Sequence, residues 1–593
     1  MAEFEAPLAQ MRFTLEHLAE LAQVTALPAF EAVTPDVVDA VLEEAARFAR
    51  EVLSPINRLG DREGVTVEDG SVLVPEEFVT AYAQFRDAGW TAIASNPEFG
   101  GQGLPKTLAA ACEEMWSGAN MAFALCPELS HGALLAVERH GTPALRDTYL
   151  EPMIAGRWTA SMCLTEPQAG SELAALTTRA EPHGDHYLIS GRKIFITWGD
   201  HQMAENIAHL VLARTPDAPA GSRGISLFLV PKFLPRKDGS PGERNDVRTV
   251  SVEHKLGIHA SPTCVLAFGD HGGAVGYLIG RENEGLAAMF TMMNYMRLGV
   301  GLQAVGVAER SCQLSAAYAR ERVQGAAPGQ KGRVPIIRHP DVRRMLLTMR
   351  SLTQAARALC YYTASCLDRA SHGADPAVAE GWQARADLLT PIAKAWCTEI
   401  GQEVTSLGIQ VHGGMGYVEE TGIAQLFRDT RIASIYEGTN GIQAIDLVGR
   451  KLLRDGGATV SAMVSEMRSV DPMLANASDE LAGLRQALAR GLDEIVQCST
   501  HLLSGGKRDA DLAGAGAMHY LMLMGTVIGG WQLARGALAA LAMPPGGADV
   551  GFLRVQIVLA RFYAEQILTR APMHGAALRA GSATLMALAA EQF

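Results

Sequence analysis

Positive charge is in short supply in this 593-residue sequence, where 51 Lys and Arg stand against 64 Asp and Glu for a net charge of -13. A polyanion such as nucleic acid is therefore not expected as the main partner, although a local basic patch can still hold one phosphate ligand. Paired cysteines are lacking too. The nine cysteines run from Cys112 to Cys498 without a Cys-x-x-Cys pair, which fits reduced, buried thiols and argues against a disulfide framework or a cysteine zinc site. The reduced thiols point to a cytoplasmic location, and the start, "MAEFEAPLAQMRF", has neither the basic opening nor the apolar core of a signal peptide, so no export is expected. No long apolar run stands clear of polar residues: the nearest, Leu512 to Trp531, is rich in Gly and Ala, carries His519 and runs into Gln532 and Arg535. It reads as a helix inside a bundle, with no membrane span. Walker and H-E-x-x-H motifs are absent, and His183 and His186 fall in the turn "EPHGDHY", so no metal is assigned.

What is present is a change of period. After a 1–35 extension, residues 36–157 show helical spacing, opened by "TPDVVDAVLEEAARF" with a Thr cap and Pro in the first turn. This segment is expected to be all-helical. Over 158–280, "HYLISGRKIFITWG", "NIAHLVLARTP", "GISLFLVPKF" and "TCVLAFGD" read as strands bounded by Gly, Pro and Asp. Helical spacing returns over 281–454, and an Ala/Leu-rich helical segment broken at "MPPGGADVG" fills 455–593. The fold class is mainly α with a central β domain: strands between two helical blocks predict an antiparallel β unit rather than a doubly wound sheet.

Three segments carry chemistry. "CLTEPQAGSEL" (163–173) ends a strand, breaks at Glu-Pro and exposes Thr165 and Ser171; "KIFITWG" places Phe195 and Thr197 on one side of a strand, an aromatic face beside a hydroxyl that suits a flat heterocycle. "IASIYEGTNGIQAIDL" (432–447) sets one carboxylate, Glu437, between an apolar run and a turn. Taken alone, Thr439 or Asn440 can be a helix cap and Glu437 an ordinary acid near the helix's positive end.

With "EHKLGIHASPTCVLAFGD", "RERVQG", "QVHGGMGY" and "RDTRIASIYEGTNGIQ" added in this order, the sequence resembles the acyl-CoA dehydrogenase family over roughly residues 36–453. Its length resembles the clade with an extra C-terminal helical domain, which includes broad-range fatty acyl-CoA and 3-(methylthio)propanoyl-CoA dehydrogenases. The resemblance implies an N-terminal α domain, a β-barrel-like domain and a four-helix bundle, with FAD as cofactor and acyl-CoA as substrate. It places Leu164, Thr165, Ser171, Phe195 and Thr197 against FAD, with Arg322 at the pyrophosphate and Gln410, Gly413 and Gly414 in a cross-subunit FAD loop. Thr439 matches a further FAD contact, and Ser171, Asn294, Arg297 and Gly438 match substrate-side positions. Glu172, Gly325 and Gly441 depart from the residues usual there.

Under the same resemblance Glu437 matches the catalytic base that takes the proton alpha to the thioester, with apolar surroundings expected from "IASIY". The other position the family uses for a base holds Tyr295 and Met296, neither a carboxylate. A homodimer and an electron-transferring flavoprotein as acceptor are also implied. An oxygen-using acyl-CoA oxidase and a DNA-associated flavoprotein relative are the alternatives.

Overall fold

The computed structural model describes residues 4–593 apart from 69, 330, 506–508 and 545–548. They form two compact units of interleaved stretches: one of Met1–Glu43, Pro105–Glu114 and Val300–Phe593, the other of Glu44–Leu104 and Met115–Gly299.

The second unit contains the β domain. Its eight-stranded sheet runs in the order Val247–Val252, Thr263–Phe268, His186–Thr197, Ala274–Ile279, Ser226–Pro231, Asn206–Ala213, Trp158–Cys163, with Arg179–His183 paired to His186–Thr197 off this path. Neighbours are antiparallel except Trp158–Cys163 and Asn206–Ala213, which pair in parallel. The runs Asn206–Ala213 and Ser226–Pro231 are buried at every residue, which is why they read as continuous apolar stretches without alternation. Ile189, Ile196, Phe228, Leu266 and Phe268 meet in the core.

The all-helical expectation for 36–157 needs one correction. Thr66–Glu68 and Ser71–Leu73 form an antiparallel hairpin, with Val67 opposite Val72, because β-branched residues favour a short pleated pair here over another helical turn. The helix Pro35–Phe48 starts as expected, with Val37 N donating to Thr34 Oγ1 at 3.4 Å. The long helix Lys106–His140 is interrupted at Asn120 (φ -159°, ψ 92°), whose side-chain oxygen accepts from Phe123 N at 3.1 Å and so restarts the helix.

The first unit is helical. Pro340–His372 and Pro376–His412 pack side by side, and the buried Arg357 donates to Glu114 (2.6 Å) and Glu309 (2.9 Å). Burial pushes the Glu114 carboxyl up, while Arg357 and Tyr361 pull it down by donating to it. The C-terminal segment supplies Ala482–Gly505, Leu512–Ala542, Val550–Gln566 and Arg570–Arg579; part of the predicted "MPPGGADVG" break lies outside the described residues. Among the described residues only Leu512–Ala542 is long and apolar enough to cross a membrane, and 67% of its apolar window is buried inside the protein. Gly525 explains the close approach: a Cβ there would come within 2.2 Å of Trp396 Cγ. At the same helix's far end Arg535 donates to Leu18 O (2.9 Å) and Glu20 (2.6 Å), tying the N-terminal segment down.

Candidate active site

Where the strand Trp158–Cys163 ends, the chain passes through the buried Leu164 and half-buried Thr165, and both carbonyls are taken up by the strand His186–Thr197. Lys193 Nζ donates to Leu164 O at 3.0 Å and Ile194 N to Thr165 O at 2.9 Å. Glu166 then accepts from Lys193 Nζ (2.8 Å), Thr178 Oγ1 (2.6 Å) and Thr177 N (2.7 Å). Burial would raise this carboxyl, but the Lys193 ammonium and the hydrogen bonds outweigh it and hold the group at about 2. Between Leu266↔Lys193 and Cys264↔Ile196 the register shifts. There the extra residue lies on the His186–Thr197 strand, a β-bulge at Ile194–Phe195. Phe195 sits at φ 59° with 58% of its surface exposed, while Ile196 enters the β core and Thr197 is half-buried. A bulge with a bulky residue in the left-handed region costs about 1–3 kcal/mol, so strict alternation did not foretell how this ring is presented. Ser171 and Glu172 lie exposed on the loop that follows.

On the first part of the helix Gly285–Glu321, up to Gly299 in this unit, Asn294 is exposed and Arg297 buried, with Arg297 Nη1 donating to Asn294 Oδ1 at 3.3 Å. Tyr295 and Met296 are buried, and the His131 ring packs on Tyr295 at 4.8 Å. One turn on, a Cβ at Gly299 would fall 1.7 Å from Glu128 Oε1. Glu128 is a buried carboxylate that sequence reasoning missed, since nothing in the chain's linear order links it to that helix.

In the other unit, Glu437 occupies a left-handed conformation (φ 57°) and Gly438 continues it at φ 83°. Glycine takes that conformation without strain, whereas for Glu437 it costs about 1–2 kcal/mol. Thr439 caps the helix Asn440–Asp446 by accepting from Ile442 N at 3.3 Å, so the capping reading of that hydroxyl holds. Asn440 is buried, accepting from Lys394 Nζ at 2.9 Å and donating to Glu399 Oε1 at 2.7 Å. Gln443 Nε2 donates to the carbonyls of Glu437 and Gly438, each at 3.2 Å. The apolar surroundings expected from "IASIY" are only partly there: Ala433 is buried, but Ile435 is 48% exposed because the short helical turn Arg431–Ser434 swings it outward. Tyr436 is half-buried and donates its hydroxyl to Gln303.

Arg322 follows the end of Gly285–Glu321, exposed, and donates to Gln324 Oε1 at 2.7 Å. Gln410 lies exposed in the last turn of Pro376–His412, followed by exposed Gly413 and Gly414, where an added Cβ would meet nothing within 4 Å. The structure thus joins Leu164, Thr165, Phe195 and Thr197 through one pair of strands, Asn294 and Arg297 on one helix, and Glu437, Gly438 and Thr439 in one turn. Sequence reasoning missed Glu166 and Lys193, although a signal existed: two-residue alternation puts Lys193 on the inward face with Ile189, where a charge needs a partner.

Four domain profiles match the chain: the acyl-CoA dehydrogenase N-terminal domain (36–157), middle domain (161–271) and C-terminal domain (283–453), and an acetyl-CoA dehydrogenase C-terminal-like domain (458–589). A 3-methylmercaptopropionyl-CoA dehydrogenase of Ruegeria pomeroyi is 47% identical over 95% of this chain and 96% of its own length. The chain belongs to the acyl-CoA dehydrogenase family. It is an oxidoreductase acting on acyl-CoA. The broad-specificity linear acyl-CoA dehydrogenase FadE5 of Mycobacterium tuberculosis is 35% identical over 91% of both chains. An acyl-CoA dehydrogenase of Bacillus anthracis, solved in complex with FAD, shares the fold with a TM-score of 0.74 at 21% identity, covering 94% of this chain and 90% of its own.

FAD is the family's cofactor, and the residues present fit it. Thr165, Ser171 and Thr197 offer hydroxyls, Phe195 an exposed ring face, Arg322 a cation suited to a pyrophosphate, and Gly413–Gly414 a backbone with no side chain in the way.

Proposed function

We propose that the enzyme removes the alpha proton and the beta hydride of an acyl-CoA thioester to give the trans-2-enoyl-CoA, with Glu437 as the base. The observation that carries this reading is the Glu437 turn: a non-glycine residue kept in a left-handed conformation, followed by Gly438 in the same region. Strain of this kind persists where surrounding contacts over-determine the backbone, and it gathers at functional sites. Such a turn fixes the Cα–Cβ direction from which the carboxylate is presented, and proton abstraction from a weak carbon acid requires a well-placed base. FAD, when bound, supplies the hydride acceptor. Leu164, Thr165, Ser171, Phe195, Thr197, Arg322, Gln410, Gly413, Gly414 and Thr439 are its proposed contacts, and Ser171, Asn294, Arg297 and Gly438 those of the substrate.

The proposed substrate is 3-(methylthio)propanoyl-CoA, supported by the 47% identity with the Ruegeria enzyme; linear acyl-CoA is the second reading, supported by the Mycobacterium relative. A cytoplasmic homodimer that passes electrons to an electron-transferring flavoprotein completes the proposal. The last part is in keeping with a caffeyl-CoA reductase-Etf complex subunit of Acetobacterium woodii, 29% identical over 64% of this chain. A panel of acyl-CoA thioesters assayed with an artificial electron acceptor tests the reading. The expected result is the highest kcat/KM with the methylthio substrate, and failure of every thioester to reduce the flavin contradicts it.

A further inference from the structure

The turn that presents Glu437 is tied to the helix that follows it. Its two residues are consecutive and both left-handed (φ 57° and 83°), so their carbonyls are not drawn into the helix ladder that begins at Asn440. Both of these carbonyls accept from the side-chain amide nitrogen of Gln443, each at 3.2 Å. Gln443 lies one turn into the following helix and is fully buried (0% exposed). Its amide oxygen has no hydrogen-bond partner among the described residues. The two donated bonds are what an amide supplies here and an apolar side chain of the same size would not. The base of the turn is fixed independently: Asn440 is pinned to the helix Pro376–His412 through Lys394, Thr398 and Glu399. With Asn440 anchored, Gln443 restrains the turn at both Glu437 and Gly438.

We propose that Gln443 is the positioning residue for Glu437, its amide holding the two carbonyls of the left-handed turn and thereby the backbone from which the carboxylate projects. The inference rests on Glu437 being the base. Without the amide the turn gains access to ordinary right-handed conformations, and the carboxylate swings away from the alpha proton while still belonging to a folded, cofactor-loaded enzyme. A displacement of about 1 Å at a reacting group is enough to cost up to about 10²-fold in rate.

The test is Gln443→Met, compared with wild type and Glu437→Gln in anaerobic single-turnover flavin reduction, using substrate carrying deuterium at the alpha or the beta carbon. The expected result is a fall of about 10–100-fold in the limiting rate and a larger alpha-deuterium isotope effect, with FAD content, affinity for the enoyl-CoA product and thermal midpoint close to wild type. A rate within twofold of wild type, with Glu437→Gln inactive, overturns the inference and leaves the base assignment standing. A slow variant with unchanged isotope effects that has lost FAD or folded protein also overturns it, because that is the mark of a merely structural residue. Wild-type rates in Glu437→Gln would instead remove the base assignment itself. If Gln443→Met does not fold, Gln443→Glu keeps the shape, replaces the donating amide by an acceptor, and is judged by the same outcomes.

Discussion

Lys193 and Glu166 face each other across 2.8 Å with 0% and 2% of their side chains exposed. Lys193 also holds the Leu164 carbonyl, so the pair welds the proposed flavin-side loop to the strand bearing Phe195 and Thr197. Removing one partner strands a buried charge, which costs about 3–5 kcal/mol. Lys193→Met is expected to unfold at markedly lower denaturant concentration and to release FAD more readily, and equilibrium unfolding with flavin fluorescence reads both. Because the folded Glu166 carboxyl is depressed to about 2, its share of stability is present above its unfolded value of about 4.3 and is lost as pH falls toward 2.

His259 shows the opposite sign. Its Nδ1 lies 3.0 Å from Asp61 Oδ1 and 2.8 Å from Asp61 O, and these hydrogen bonds raise the imidazole to about 9 against the lowering effect of burial. The contribution is fully present below its unfolded value of about 6.5 and is lost as pH rises through about 9. Thermal midpoints of wild type and His259→Gln should differ at pH 6 and converge above pH 9; a constant gap would show that the pair does not titrate.

Much of this was legible in the sequence, and the remainder was hidden for physical reasons. Helical period located Pro35–Phe48, and strand alternation located His186–Thr197 and Thr263–Phe268. The hairpin at 66–73 escaped because three-residue strands carry too little pattern, and the parallel pairing of Trp158–Cys163 depends on a neighbour nearly fifty residues away. Glu437 was legible as a motif, but its left-handed backbone was not, since no residue type announces it as glycine does. Glu166 and Glu128 meet distant parts of the chain that periodicity does not encode, and Gln443 reaches back to a turn whose conformation no residue pattern announces.

Arg322 is expected to contribute a charge-assisted contact to the FAD pyrophosphate. Arg322→Ala should weaken FAD binding by about 1.5–3 kcal/mol, read by titrating apoprotein with FAD. Unchanged affinity would remove Arg322 from the cofactor site.

Gly525 tests how the most apolar helix is used. An added Cβ would lie 2.2 Å from Trp396 Cγ, and overpacking of this kind typically costs about 1–3 kcal/mol. Gly525→Ala should lower the thermal midpoint of the purified enzyme by about 1–4 °C; an unchanged midpoint would mean that the helix does not pack against Trp396.

The central claim is that Glu437 takes the alpha proton, and anaerobic mixing of Glu437→Gln with a good acyl-CoA substrate tests it most directly. The amide is nearly isosteric with the acid but cannot accept the proton, so the variant should bind FAD and acyl-CoA and yet lose flavin reduction by about 10²–10⁴-fold or more. Bleaching of the flavin band at close to the wild-type rate would contradict the account and reduce Glu437 to an acid beside a helix cap.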